Sequence, residues 1–131
     1  MTRTYTILAI DDTKKILDIV KHFLEGAGYN VKIAADPLTG IDIAKSGGID
    51  LIILDIMMPK MSGYEVAEVL QKFPNTSQIP IIMLTAKTII SHTPKHFYYG
   101  LYGFLSKPFS KIALLKAVSE VINAVYIGKG R

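Results

Sequence analysis

The chain has 131 residues, of which 50% are hydrophobic and 20% charged, with a formal net charge of +4. This length and composition indicate one globular domain with its own core and exclude an intrinsically disordered chain. The absence of cysteine excludes disulfides, thiolate metal sites and cysteine nucleophiles. With no signal peptide and no apolar run near 18 residues, we expect a cytoplasmic protein without membrane insertion. Since Lys14-Lys15 is the only adjacent basic pair, direct nucleic-acid binding is not expected.

Short apolar segments alternate along the chain with longer amphipathic stretches. The apolar segments predict β-strands at Tyr5–Ile10, Asn30–Ala34, Leu51–Leu54, Ile79–Leu84 and Gly103–Ser106. The amphipathic stretches predict helices at Thr13–Glu25, Pro37–Lys45, Ser62–Lys72, Pro94–Tyr99 and Lys111–Tyr126. This alternation predicts an α/β fold with a parallel sheet between two helical layers, a doubly wound (βα)5 three-layer sandwich. We expect a single domain over residues 1–131, with a core over about 4–125 and a frayed tail from 126.

Acidic residues follow two of the predicted strands. Asp11 and Asp12 come directly after the first strand, and Asp55 comes directly after the third. If the strands follow 2-1-3-4-5, one of the common orders of doubly wound sheets, these two strands are neighbours, and their carboxyl ends lie at the crevice where such sheets bind ligands. Carboxylates this close repel one another unless one is protonated or a cation neutralises them. An Asp-Asp pair alone is more often a helix cap, but with Asp55 it favours a site for Mg²⁺ or Mn²⁺.

Two further polar residues end strands at the same edge of the predicted sheet. Thr85 follows the fourth strand and Lys107 follows the fifth. Each residue alone is ordinary, as a capping threonine or a solvated lysine. Together they place a hydroxyl and a positive charge near the carboxylates, a set that suits phosphoryl transfer. Asp55 is then the predicted nucleophile, forming an aspartyl phosphate.

These residues resemble a known family in both identity and order. The matching motifs are Asp11-Asp12, the segment Asp55-Ile-Met-Met-Pro-Lys-Met-Ser-Gly63, Thr85-Ala86 and Lys107-Pro108-Phe109. The chain thereby resembles the response-regulator receiver domains of two-component signalling, in particular single-domain regulators of the chemotaxis type. The resemblance covers residues from about Thr4 to Val125 and implies the flavodoxin-like strand order 2-1-3-4-5.

The resemblance also implies roles for the acidic residues. Asp55 would accept a phosphoryl group from a sensor histidine kinase or a histidine phosphotransfer protein. Asp12 and Asp55 would bind Mg²⁺ through their carboxylates, Asp11 mainly through water, and Met57 through its backbone carbonyl. Lys107 would pair with Asp55 and then with the phosphoryl oxygens.

The same resemblance implies a conformational switch. Thr85 and Ala86 would contact the phosphoryl group, and the aromatic residue of the fifth strand, Phe104, would turn inward. The Lys107–Pro108 peptide would be cis. The switched surface would comprise the predicted fourth helix, the fifth strand and the last helix, and would bind a downstream protein not identifiable from the sequence. We expect a monomer or a weak dimer that depends on phosphorylation.

The chain departs from the family pattern in two regions. Phe104 stands where the family often has tyrosine, so its outward state lacks a hydroxyl. The segment 87–102 carries Tyr98, Tyr99 and Tyr102, which indicate either ordinary core packing or an exposed aromatic docking face. Neither Met57 nor Lys87, which flank the expected site, can act as a carboxylate base, and we therefore expect slow self-dephosphorylation.

Other functions are less consistent with the sequence. A haloacid-dehalogenase-like phosphotransferase would carry a second aspartate two residues after the nucleophile, where this chain has Met57. A receiver-shaped module that switches without phosphate would not need the full acidic set. A flavodoxin-like nucleotide binder would be expected to carry a glycine-rich phosphate motif, and none is present. We therefore expect a signalling domain and not an enzyme that turns over a separate substrate.

Overall fold

A computed structural model of the chain describes residues 3–86 and 100–128. Five parallel strands form one sheet in the order β2-β1-β3-β4-β5. The strands are β1 Thr6–Ile10, β2 Asn30–Ala34, β3 Leu51–Asp55, β4 Ile81–Thr85 and β5 Leu101–Ser106. The predicted strand order and parallel sheet are confirmed.

The helices of the described residues connect and cover these strands. They are α1 Lys14–Gly26, α2 Pro37–Lys45, α3 Gly63–Leu70 and α4 Lys111–Ile122, and a π-helix at Asn123–Ile127 follows α4 directly. The predicted helix Pro94–Tyr99 lies outside the described residues, so α4 here denotes the last α-helix. None of the described helices is both long and apolar enough to cross a membrane.

The sheet separates two apolar cores, one on each face. On one face α2 and α3 pack on the sheet through residues such as Ile41 and Val66. On the other face α1 and α4 pack through residues such as Leu17 and Val118. Since every residue of β3 is buried, its apolar run reflects burial on both faces, as expected of a central parallel strand. The predicted three-layer sandwich is therefore confirmed.

Local capping sets where the helices begin. Asp36 accepts a hydrogen bond from the Thr39 backbone N–H at 2.9 Å, and Pro37 occupies the first turn of α2. Ser62 and Glu65 form the predicted reciprocal capping box at the start of α3. Ser110 caps α4 through the Ala113 N–H.

A cluster of polar and aromatic residues joins the two ends of the described chain at the amino-terminal edge of the sheet. We call it the N-edge cluster; its members are Arg3, Tyr5, Asp50 and Tyr126. Arg3 forms an ion pair with Asp50 and lies over the rings of Tyr5 and Tyr126, 4.6 and 5.1 Å from their centroids. The Tyr126 hydroxyl donates a 2.7 Å hydrogen bond to the Asp50 carbonyl. The sequence predicted fraying from residue 126; of that tail the structure describes Tyr126 to Gly128, and the π-helix runs to Ile127.

Replacing Tyr126 with Phe tests the contribution of this hydrogen bond. The ring stack with Tyr5 is retained while a partly buried carbonyl loses its donor, so we expect the free energy of unfolding to fall by about 1 kcal/mol. Urea unfolding followed by circular dichroism measures the change. Tyr102→Phe is the matched control, because Tyr102 is 53% exposed and should alter stability by less than about 0.5 kcal/mol. Equal stability of Tyr126→Phe and the wild-type protein would contradict the assigned contribution.

Candidate functional site

The strand registers bring the predicted site residues to one edge of the sheet. Ile10 is paired with Leu54, so the next residues, Asp11 and Asp55, lie at the same level. Asp55 is paired with Leu84, which places Thr85 one step beyond it on β4. Lys107 follows Ser106, the partner of Thr85 on β5. Neighbouring parallel strands therefore supply the residues that the sequence predicts to act together.

The carboxylates of Asp11, Asp12 and Asp55 form a cluster in which one oxygen from each lies within 4.8 Å of the others. Asp11 and Asp55 are almost fully buried, with 1% and 3% of their surface exposed, whereas Asp12 is exposed. Buried carboxylates at this separation repel one another in a medium less polar than water. The cluster therefore needs positive charge to be stable when ionised.

Lys107 supplies part of that charge. Its Nζ atom lies 2.8 Å from Asp11 Oδ2 and 3.2 Å from Asp55 Oδ1. The sequence predicted the pairing with Asp55, and the structure adds a closer one with Asp11. Burial lowers the pKa of Lys107, but its contact with Asp11 and the charges of both carboxylates outweigh burial, so the pKa lies above its usual value. Lys107 is therefore a fixed cation.

One lysine does not fully compensate the buried acids. Burial, followed by the charge of Asp11, raises the pKa of Asp55 to about 6, and the charge of Lys107 only partly offsets these effects. Asp11 Oδ2 contacts Lys107 Nζ at 2.8 Å, and the described residues offer it no other hydrogen-bond donor. A buried carboxylate oxygen with unused acceptor capacity, beside two other carboxylates, fits a hard divalent cation that prefers oxygen ligands.

Backbone contacts hold the two buried aspartates in place. The Thr13 N–H donates to Asp11 Oδ1 at 2.9 Å, and the Asp11 N–H donates to the Ala34 carbonyl at 3.2 Å. The Met57 N–H lies 3.4 Å from Asp55 Oδ1, while Met57 as a whole residue is 69% exposed. Met57 is therefore next to the carboxylate cluster through its backbone and not through its side chain.

The structure also places Thr85, Ala86 and the Lys107–Pro108 peptide at this edge. Thr85 is fully buried, and its carbonyl accepts a 2.7 Å hydrogen bond from the Lys107 N–H. Ala86 is exposed directly after it. The Lys107–Pro108 peptide is cis, as the resemblance implied.

The predicted switch and partner residues are only partly described. Phe104 is half-buried and packs against the core on the α2–α3 face. Tyr102 on β5 is 53% exposed, so of the two interpretations of these tyrosines, ordinary core packing does not describe Tyr102. Tyr98, Tyr99 and Lys87 lie outside the described residues.

Two features of the site edge and its surroundings were not assigned by sequence reasoning. Gly63, which the sequence analysis used only as the last residue of the matching segment, approaches the backbone of Asp55 closely. A glycine directly after a capping serine, where a helix begins, was a usable signal for this contact. A groove of about 710 Å³, lined in part by Arg3, Tyr5 and Tyr29, lies at the opposite edge of the sheet. Since none of the predicted site residues lines that groove, the chemistry points to the carboxylate cluster and not to the groove.

Comparison with known proteins agrees with this geometry. The family model described as the response regulator receiver domain matches residues 7–119. The chain belongs to this family. The receiver domain is 34% identical over 119 residues to the "Probable transcriptional regulator ycf29" of Porphyra purpurea, covering 91% of this chain and 57% of that protein. It is 39% identical over 117 residues to the "DNA-binding dual master transcriptional regulator RpaA" of Synechocystis, covering 89% and 48%.

The receiver domain is also similar to solved structures over their whole length. The chemotaxis protein CheY4 of Vibrio cholerae superimposes with a TM-score of 0.84 at 34% identity, covering 91% of this chain and 99% of that one. By contrast, the chain spans about half the length of the curated relatives named above. Receiver domains are signalling domains and not substrate-turnover enzymes, which agrees with the expectation from the sequence.

Proposed function

We propose that this receiver domain accepts a phosphoryl group on Asp55 from a phosphohistidine of a sensor histidine kinase or a histidine phosphotransfer protein. The observation that carries the proposal is the buried pair Asp11–Asp55 bridged by Lys107 Nζ at 2.8 and 3.2 Å. A structural ion pair needs one acid for one base, whereas this arrangement keeps an additional buried acid. Such surplus negative charge is typical of a site that binds a metal ion and a phosphoryl group.

The transfer uses the carboxylate as the nucleophile. An Asp55 oxygen attacks phosphorus, the phosphorus–nitrogen bond to histidine breaks with its electron pair left on the imidazole, and that nitrogen takes up a proton from solvent. When bound, Mg²⁺ supplies positive charge that neutralises the carboxylates and the phosphoryl oxygens. Asp11, Asp12, Asp55 and the Met57 backbone carbonyl would hold the ion. Mn²⁺, which also prefers oxygen ligands, would serve in its place.

Lys107, Thr85 and Ala86 would stabilise the product. Lys107 faces Asp55 and would exchange its contact with that carboxylate for one with a phosphoryl oxygen. Thr85 ends the neighbouring strand, and its hydroxyl would donate to another phosphoryl oxygen, with Ala86 beside it. Met57, two residues after Asp55, offers no carboxylate base, and hydrolysis of the aspartyl phosphate would therefore be slow.

The phosphorylated state would be transmitted through β5 and its neighbours. Phe104 is half-buried on β5, and Tyr102, two residues earlier, is exposed. A shift of Thr85 toward the phosphoryl group would let Phe104 turn inward. This movement would change the surface that comprises β5, α4 and the predicted helix Pro94–Tyr99. A downstream protein, still to be identified, would bind there, with exposed Tyr102 as one contact. The receiver itself needs no contact with nucleic acid.

Labelling with acetyl phosphate tests the proposal without knowledge of the kinase. In buffer with Mg²⁺ the intact mass of the wild-type protein should increase by one phosphoryl group, and the modified residue should map to Asp55. Chelation of the divalent ions should prevent labelling, because the carboxylates then repel the incoming phosphate. Labelling that is equally fast with and without divalent ions, or that maps to a different residue, would contradict the proposal.

A further inference from the structure

The loop between β3 and α3, residues 56–62, is closed at its base by backbone hydrogen bonds. The Gly63 N–H donates to the Ile56 carbonyl at 2.8 Å, so the first residue of the helix is tied to the first residue of the loop. The Ile56 N–H in turn donates to the Leu84 carbonyl of β4 at 3.1 Å. The loop is therefore fastened to the sheet directly beside the carboxylate of Asp55.

Gly63 makes this closure possible by lacking a side chain. A Cβ atom at this position would overlap the backbone carbonyl oxygen of Asp55 and lie 2.9 Å from Ile56 Cα. Both obstacles are backbone atoms, so no side-chain rotation could relieve the overlap. Any larger residue would have to push the start of α3 away from the end of β3.

Lys60 determines the path of the loop at its middle. Its φ angle is 72°, and it is the only non-glycine residue with positive φ in the described part of the chain. A lysine in this left-handed region costs about 1 kcal/mol or more, which the surrounding structure must offset. The next residue, Met61, donates its N–H to the Pro59 carbonyl at 2.8 Å, which tightens the same turn.

We infer that Gly63 and Lys60 are positioning residues that set the affinity of the acidic cluster for its divalent ion. This inference rests on the proposed function, because it concerns the metal site that phosphoryl transfer needs. The loop carries Met57, whose carbonyl is a proposed ligand and whose N–H contacts Asp55 Oδ1. A displaced loop would therefore move one proposed ligand and also disturb a contact that holds Asp55, another proposed ligand. Neither Gly63 nor Lys60 contributes a ligand; both act through the loop backbone.

Two pairs of variants test the inference. Lys60→Val places a β-branched residue in the left-handed region, whereas its control, Lys60→Gly, removes the same exposed charged side chain but accepts that conformation. Gly63→Ala introduces the backbone overlap, and its control, Val118→Ala, destabilises the core on the opposite face of the sheet. The readout is the Mg²⁺ dissociation constant of the unphosphorylated protein, measured by NMR titration with circular dichroism confirming the fold.

Gly63→Ala is expected to weaken Mg²⁺ binding about tenfold, in the range seen when groups supporting metal ligands are lost. Lys60→Val should weaken it in the same direction, while Lys60→Gly and Val118→Ala stay within about twofold of the wild type. Because Lys60 is exposed, its two variants keep the test decisive even if Gly63→Ala does not fold. If the wild type binds Mg²⁺ and Lys60→Val and Gly63→Ala bind it equally well, the inference is wrong while the proposed function stands. If the wild type does not bind Mg²⁺, the proposed function itself fails.

Discussion

Asp55→Asn is expected to reduce phosphoryl incorporation from acetyl phosphate to background. The amide keeps the shape of the carboxylate but has no anionic oxygen to attack phosphorus, and it removes one of the clustered charges that would bind Mg²⁺. Intact-protein mass spectrometry over a time course in Mg²⁺ measures the loss. The effect should be complete, because the proposal assigns the covalent bond to this residue alone.

Two other aspartates serve as comparisons for this experiment. Asp12→Asn keeps the nucleophile but loses an exposed proposed metal ligand, so labelling should persist at a reduced rate and require more Mg²⁺. Asp18→Asn removes an exposed aspartate of α1 whose described ion pair is with Lys14, and it should label like the wild type. Full labelling of Asp55→Asn would show that a different residue carries the phosphoryl group.

The second large effect concerns stability in the absence of divalent ions. Burial and the charge of Asp11 raise the pKa of Asp55 from 3.8 to about 6 in the folded protein. Between these values the folded protein holds a proton that the unfolded chain has released. The free energy of unfolding should therefore fall as pH rises from about 4 to about 6, and stay low above that. A shift of about 2 pH units corresponds to about 3 kcal/mol. The raised pKa of Lys107 has no effect in this window, because lysine is charged in both states there.

Urea unfolding in chelating buffer at several pH values between 4 and 8 measures this dependence. Asp55→Asn should flatten the curve and be more stable than the wild type near pH 7.5, by less than about 3 kcal/mol because it also loses its ion pair with Lys107. Saturating Mg²⁺ should raise the free energy of unfolding of the wild-type protein but not that of the Asp55→Asn variant. A wild-type stability that rises with pH across this window would show that Asp55 is not held in an unfavourable ionised state.

The sequence predicted the acidic cluster well because simple rules place its members. A parallel sheet brings the carboxyl ends of its strands to one edge, and Asp11, Asp55 and Thr85 each stand where an apolar run stops. The strand order that makes β1 and β3 neighbours came from the family resemblance. Helix starts at Asp36 and Ser62 were predictable for a similar reason, since capping depends on residues three positions apart. Helix ends were less predictable: α3 ends at Leu70, before the predicted Lys72. The next residues continue as tighter turns, in which the Lys72 N–H donates to the Val69 carbonyl three residues earlier.

Contacts between distant residues could not be predicted from local patterns. Tyr126 and Asp50 are 76 positions apart, and no periodicity links the hydroxyl of one to the carbonyl of the other. The closer approach of Lys107 to Asp11 than to Asp55 depends on how a long side chain settles between two charges. The position of Gly63 against the Asp55 carbonyl likewise follows from how α3 packs on the sheet, which the motif alone does not specify.

The N-edge cluster has a consequence for re-engineering the order of the chain. The ring centroids of Tyr5 and Tyr126 are 5.5 Å apart, so the first and last described segments meet at the edge of the sheet opposite the carboxylates. A short flexible linker could join these segments, and new ends could be opened at the glycine pair Gly47–Gly48, between α2 and β3. Such a circular permutant would keep the phosphoacceptor edge intact, because its new ends also lie at the edge of the sheet opposite the carboxylates.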